Sequence, residues 1–205
     1  MNFQATLQDR SLALTDAAQR VLLSVPLDAG GRHRLVVPER AMVQAVLDAL
    51  EAIPGVQVLP AEGGLLNDLT VADNLSLALR YGVSADAASV KDWEHRLQSA
   101  FRDCGLSEAR IRTIGRELPM NLERSERWLV GFVRHLLRPG ELLVLDRIFA
   151  GLSRQQANAM LAMEAVHHTF YPSRPTLFID LDAHELPALP DCRSLIELES
   201  LACPS

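Results

Sequence analysis

Few residues in this 205-residue chain are of types and spacings that could do chemistry. Asp180-x-Asp182-x-His184 sets three potential metal ligands on alternate positions, hence on one face of an extended stretch. The plainer reading is a set of polar residues at the C-terminal edge of a sheet, and no metal is expected. Glu141-Leu-Leu-Val-Leu-Asp146 is an apolar run ending in an acid, with Arg147 next to it. His167-His168 falls at the end of a helical stretch, where histidines usually meet the C-terminal dipole. Ser125, in Glu123-Arg124-Ser125-Glu126-Arg127, lacks the Gly-x-Ser-x-Gly setting of a nucleophile elbow. The charges around it read as a solvated helix turn with local ion pairs, or as contacts across an interface between subunits. Lys91 is the only lysine among 20 basic residues, so any chemistry that needs an ammonium must use it or do without. Cys104, Cys192 and Cys203 are too far apart for a CxxC pair or a metal framework and read as free thiols.

The surrounding chain is that of an ordinary globular protein, 48% hydrophobic and 22% charged. The net charge of −6 is spread without a basic stripe, which disfavours a nucleic-acid partner. No window approaches the roughly 18 apolar residues of a membrane span, and residues 1–10 lack the pattern of a secretory signal. A cytosolic location is expected.

Strand-rich runs at Val21–Pro26 and Arg34–Pro38 flank Asp28-Ala-Gly-Gly-Arg32, a hairpin or tight strand connection. Met42, Val43, Val46, Leu47 and Leu50 repeat every three or four residues, which predicts an amphipathic helix over 39–53 that Pro54-Gly55 stops. A short strand is expected at 56–59. Thr70, with Asp73 three residues on, predicts an N-capped helix over 70–81. Helices follow over 85–115, 123–137 and 155–170, with buried strands at 141–146, 176–182 and 194–198. Alternating strands and helices predict an α/β domain with a mostly parallel sheet.

Two segments resemble one family. Gly63-Gly-Leu-Leu-Asn-Asp-Leu-Thr-Val-Ala-Asp-Asn-Leu75 is similar to the stretch after the Q-loop of ABC ATPases, where a loop and helix receive the membrane permease. Arg134-His-Leu-Leu-Arg-Pro-Gly-Glu-Leu-Leu-Val-Leu-Asp146, with Phe149-Ala-Gly-Leu152, resembles the run from the signature helix through Walker B to the D-loop. The resemblance extends from about residue 56 to the C-terminus, and the first segment is most similar to ATPases of lipid-transporting Mla/MCE systems. It implies one nucleotide-binding-like domain over 1–205 of P-loop NTPase, RecA-like type. A helical subdomain would be inserted at about 83–135, and the N-terminal β-subdomain would be reduced, since only about 20 residues separate the Walker A and Q-loop positions.

Set on the family's motifs, the chain departs from them repeatedly. The Walker A junction is Val36-Val-Pro38-Glu39-Arg40, with no glycine, lysine or hydroxyl to cradle phosphate. Ala61 stands at the Q-loop glutamine and Leu122–Glu126 at the signature. Asp146 keeps the Walker B acid, Arg147 replaces the catalytic glutamate and Ser153 the D-loop aspartate; the strand register puts Leu181 at the switch histidine, and a shifted alignment would put His184 there. Asp146, Pro38, Glu39 and Arg40 are therefore vestigial, and neither catalysis nor a cofactor is expected. The resemblance places permease docking on Leu65, Leu66, Asn67, Asp68, Leu69, Val71 and Tyr81. It implies a structural or regulatory subunit, peripheral at the inner face of the membrane. Its expected partners are a permease and either a competent ATPase or a second copy of itself. In the alternative, Asp146 with Arg40 or Arg147 completes an ATP–Mg²⁺ site with a partner.

Overall fold

The computed structural model describes residues 3–82, 90–138, 140–181 and 192–198. The chain divides into two compact units, one of residues 1–58, 140–158 and 171–205, the other of 59–139 and 159–170.

The first unit holds two sheets. Strands β1 (Gln4–Gln8), β2 (Ser11–Thr15) and β3 (Val21–Pro26) form an antiparallel sheet in that order. The second sheet has the order β5-β6-β7-β4-β8, made of β4 (Arg32–Val36), β5 (Val56–Leu59), β6 (Leu142–Asp146), β7 (Thr176–Asp180) and β8 (Cys192–Glu197). Its β6–β7, β7–β4 and β4–β8 pairs are all parallel. Every residue of β6 and β7 is buried, as central strands covered on both faces require.

Helix α1 (Arg40–Glu51) follows β4 and turns Met42, Val43, Val46, Leu47 and Leu50 inward, the stripe read from the sequence. They share one core with Leu12, Leu14 and Val25 of the small sheet and with Leu35, Val144, Leu177 and Ile179 of the large one. Only α1 lies between β4 and β5, so no β-subdomain piece intervenes there.

Of the two readings of Asp28–Arg32, the tight strand connection holds: Val21–Pro26 and Arg32–Val36 do not pair, and the chain passes there from one sheet to the other. Two expectations change. Strands β1 and β2 lie where no strand is read from the sequence, since each is only five residues long. The third strand is not buried: β8 is an edge strand with Leu195 56% exposed.

The second unit is helical and broader than residues 83–135. It contains α2 (Val71–Gly82), α3 (Val90–Asp103), α4 (Glu108–Ile114), a 3-10 turn at Pro119–Asn121, α5 (Arg124–Leu136) and most of α6 (Arg154–Phe170). Thr70 caps α2 as its sequence suggests: its hydroxyl accepts from the Asp73 amide at 3.2 Å and donates to the Asp73 carboxylate at 2.6 Å. Trp128 and Phe132, one turn apart on α5, stack at 5.0 Å and are wholly buried.

The turn at residues 61–64 packs on α5 backbone to backbone. Gly63 has φ +81, and a Cβ there would stand 2.2 Å from the Arg127 carbonyl. A Cβ on Gly131 would stand 2.1 Å from the Gly63 carbonyl oxygen. Neither obstacle is a side chain that can swing away. Gly131→Ala should therefore destabilise the protein by roughly 2 kcal/mol or more in urea unfolding, as overpacking does. Gly115→Ala, whose nearest atom would be 3.8 Å away, should be near neutral in the same measurement.

Candidate functional site

The C-terminal ends of β4, β6 and β7 form the edge at which open parallel sheets bind ligands. Beyond β4 the backbone runs through Val37, buried and donating to the Asp180 carbonyl at 2.8 Å, into the exposed Pro38, Glu39 and Arg40. Glu39 is the N-cap of α1, and its side chain caps no amide. Pro38 has no N–H to offer a ligand.

Asp146 ends β6 and is 4% exposed. Arg147 closes a fork on it, Nε donating to one carboxylate oxygen at 2.6 Å and Nη2 to the other at 2.9 Å. The hydrogen bonds it donates to this carboxylate hold the guanidinium more firmly protonated than usual.

Asp180 ends β7, 3% exposed, with Arg34 Nε of β4 at 3.2 Å. Val36 pairs with Asp180 in the ladder, which puts Arg34 and Asp180 on the same face two residues apart. The Arg34 guanidinium also lies 6.0 Å from the Phe149 ring, and Phe149 stacks on Phe178 at 5.7 Å. Burial pushes the Asp180 carboxyl up to about 6. Arg34 opposes the rise and the nearby charge of Asp146 adds to it.

In the helical unit, the nominated docking loop is fixed from beneath by Asn74, which is wholly buried. Its Oδ1 accepts from the Leu66 amide at 2.8 Å, and its Nδ2 donates to the carbonyls of Leu66, Leu69 and Thr70 at 3.0 to 3.1 Å. Above it Leu66 is 54% exposed, Asn67 and Asp68 are exposed, and Leu65 and Leu69 are half-buried. Val71, by contrast, is wholly buried and belongs to the core, because it sits one turn before Leu75 on the inner face of α2. The Tyr81 side chain lies outside the described residues. A depression of about 320 Å³ beside the loop is lined by Pro60, Glu62, Gly64, Leu65, Asn67, Pro119 and Arg127. Met120, next to Pro119, is 68% exposed.

The charges at 123–127 are not a freely solvated turn. Arg124 and Arg127 both reach Glu62, at 3.6 and 3.1 Å. Glu126 accepts from Arg110 Nε at 2.7 Å and from the Glu123 amide at 3.4 Å, while Arg110 also pairs with Glu117. The first turn of α5 is thus tied to α4 and to the loop. His168 pairs with the buried Glu164 at 3.0 Å. Asp182, His184 and Cys203 lie outside the described residues, among which no cluster of His, Cys, Asp or Glu could hold a metal ion. Cys104 is buried, its thiol pushed up to about 12, and Cys192 is exposed.

Asn74 sits inside the segment that suggested docking, yet its role depends on where four loop groups converge, and spacing does not show that. Met120 carried no signal at all. Arg34 left a faint one: an arginine at the start of an otherwise apolar run.

A parallel five-stranded sheet joined to a helical unit is the α/β fold of ATP-binding subunits of ABC transporters, a P-loop NTPase fold. The ATP-binding subunit of an ABC transporter superposes with TM-score 0.65 at 17% identity over 98% of this chain and 89% of that one. Dimeric MJ0796, a bacterial ABC transporter cassette, gives 0.62 at 11% identity over 97% and 94%. The cbiO1 protein of Clostridium perfringens, part of the complex cbiONQ, gives 0.63 at 9% identity over 89% and 80%. No family model matches. Among curated proteins, the thiamine import ATP-binding protein ThiQ of Shigella flexneri and Shigella boydii is 30% identical over 108 residues, 53% of this chain. The chain spans less than half the length of these relatives, 43%.

Two outcomes follow from the geometry. A carboxyl whose pKa is higher folded than unfolded binds more protons when folded, so stability falls as pH rises between the two values. The unfolding free energy of wild type minus that of Asp180→Asn should therefore drop by about 2 kcal/mol from pH 4 to pH 7 and then level off. Asn74→Ala strands the Leu66 amide and the Leu69 carbonyl, while the Leu66 and Thr70 carbonyls keep backbone donors, and should cost about 2–3 kcal/mol in thermal or urea unfolding.

Proposed function

We propose that this chain is a non-hydrolysing subunit of an ABC transport complex, which docks on a membrane permease through the loop at 65–69. The observation that carries this reading is the loop itself. A buried asparagine and a glycine-to-glycine backbone contact hold it in one shape, and that shape leaves Leu66 in water. Such an arrangement serves a partner, because a rigid exposed apolar side chain binds with little ordering cost.

The loss of ATP chemistry is supported by the other unit. Phosphate binding of this type needs glycine amides, a lysine and a hydroxyl. The β4–α1 junction supplies Pro38, the Glu39 carboxylate and Arg40 instead, and the Asp146 carboxylate is already held by Arg147. These residues do not fit ATP–Mg²⁺. The only lysine, Lys91, falls in α3, away in sequence from the junction.

The partners are then the permease and either a competent ATPase or a second copy, at the inner face of the membrane. No helix among the described residues is long and apolar enough to cross it. The cargo is set by the permease: the likeness of 63–75 to Mla/MCE ATPases favours a lipid, while the ThiQ relative favours thiamine. The permease that co-isolates decides between them.

Tagged wild-type chain from native membranes should bring down a permease, and Leu66→Asp should reduce that recovery by about tenfold or more, the effect of losing one central anchor. Recovery of no permease, or equal recovery by Leu66→Asp, rejects the docking role. Labelled ATP with Mg²⁺ should give no saturable binding up to millimolar concentration. Saturable binding would instead support a composite site shared with a partner.

A further inference from the structure

Asp146 carries a cation that belongs to the chain. Both of its carboxylate oxygens are taken by the planar fork of Arg147. Adjacent residues of an extended strand point to opposite faces, so this contact between neighbours needs a backbone that turns back. Arg147 has φ 45, in the left-handed region where a residue with a Cβ is strained. Its amide donates to the Ile179 carbonyl at 2.8 Å, which fixes the turn to the neighbouring strand β7. The strain thus coincides with the one contact that needs it.

The same edge holds a second acid, Asp180, close enough to feel the charge of Asp146 and served by its own arginine, Arg34. Two carboxylates stand against two guanidiniums, one to each. A magnesium ion at Asp146 would need a carboxylate oxygen at about 2.1 Å in near-octahedral geometry, and the fork takes one lone pair on each oxygen and sets a positive charge where the ion would sit.

We infer that Arg147 is a built-in substitute for a divalent cation, holding the Asp146 carboxylate so that this edge keeps one charge state whatever the Mg²⁺ concentration. The inference concerns the sheet edge only and does not depend on the docking loop, so either can fail without the other. Arg147 thereby has a positive role of its own at this edge.

The test uses Arg147→Gly and Arg147→Asn, since glycine and asparagine both accept the left-handed backbone without the guanidinium. Mn²⁺ is titrated against each full-length protein and followed by the free-ion EPR signal and by thermal shift. Wild type should show no saturable binding and no rise in Tm. Both variants should bind Mn²⁺ saturably in the millimolar range with a rise in Tm of several degrees, and Asp146→Asn/Arg147→Gly should lose the effect. A variant that folds only with Mn²⁺ present is the same result in stronger form. Saturable Mn²⁺ binding by wild type, folded variants that bind none, or variants that fold neither with nor without the ion would each overturn the inference.

Discussion

Burial of β6 and β7 on both faces is the constraint on which the first unit depends. Strands so deeply covered can end in charged residues only if each charge finds a partner before water does, because an isolated buried carboxylate is costly. Asp146 and Asp180 meet that demand in different ways. Asp146 takes its partner from the next residue through a strained turn, and Asp180 takes its partner from across the sheet. The second solution is the less complete, which is why burial still raises the Asp180 carboxyl despite Arg34. An edge that in a nucleotide-binding protein would leave charge open for a ligand is here closed by the chain's own arginines.

The helical unit solves a related problem with neutral groups. The loop at 61–70 has no regular partner for its backbone, and buried unpaired amides and carbonyls would be costly. Asn74 supplies one acceptor and one amino group to four loop atoms, and the glycine pair lets the preceding turn lie directly on α5. The ion pairs of Glu62 with Arg124 and Arg127 are half-exposed and add little by comparison. Polar satisfaction from below fixes the shape, and Leu66 is left exposed above it.

Long periodic or fully apolar segments were legible in the sequence. The stripe of α1, the cap of α2 and the runs of β6 and β7 each follow from local pattern, and the order of these elements implies the parallel sheet. Short pieces were not. β1 and β2 have five residues each, too few for alternation to stand out, and the glycines at 30–31 mark a turn without saying whether its flanking strands share a sheet. The stretch at 194–198 reads as apolar from Leu195, Ile196 and Leu198, but at the sheet edge Leu195 is exposed and Ile196 only half-buried. The candidate site was half legible. Pro38, Glu39 and Arg40 at the β4–α1 junction can be read directly, whereas the fork of Arg147 cannot, because a strand pattern puts neighbours on opposite faces and only the left-handed turn brings them together. Val71 was misplaced by the opposite error, since a motif names a segment without saying which of its residues face inward.

The contact between Gly63 and Gly131 also bears on how this surface can change over time. With backbone lying on backbone there is no side-chain layer to absorb a substitution, so the path of the loop and the position of α5 must be inherited together. Variation is channelled outward, to exposed side chains such as Leu66 and Met120, which can be exchanged without moving the frame that presents them.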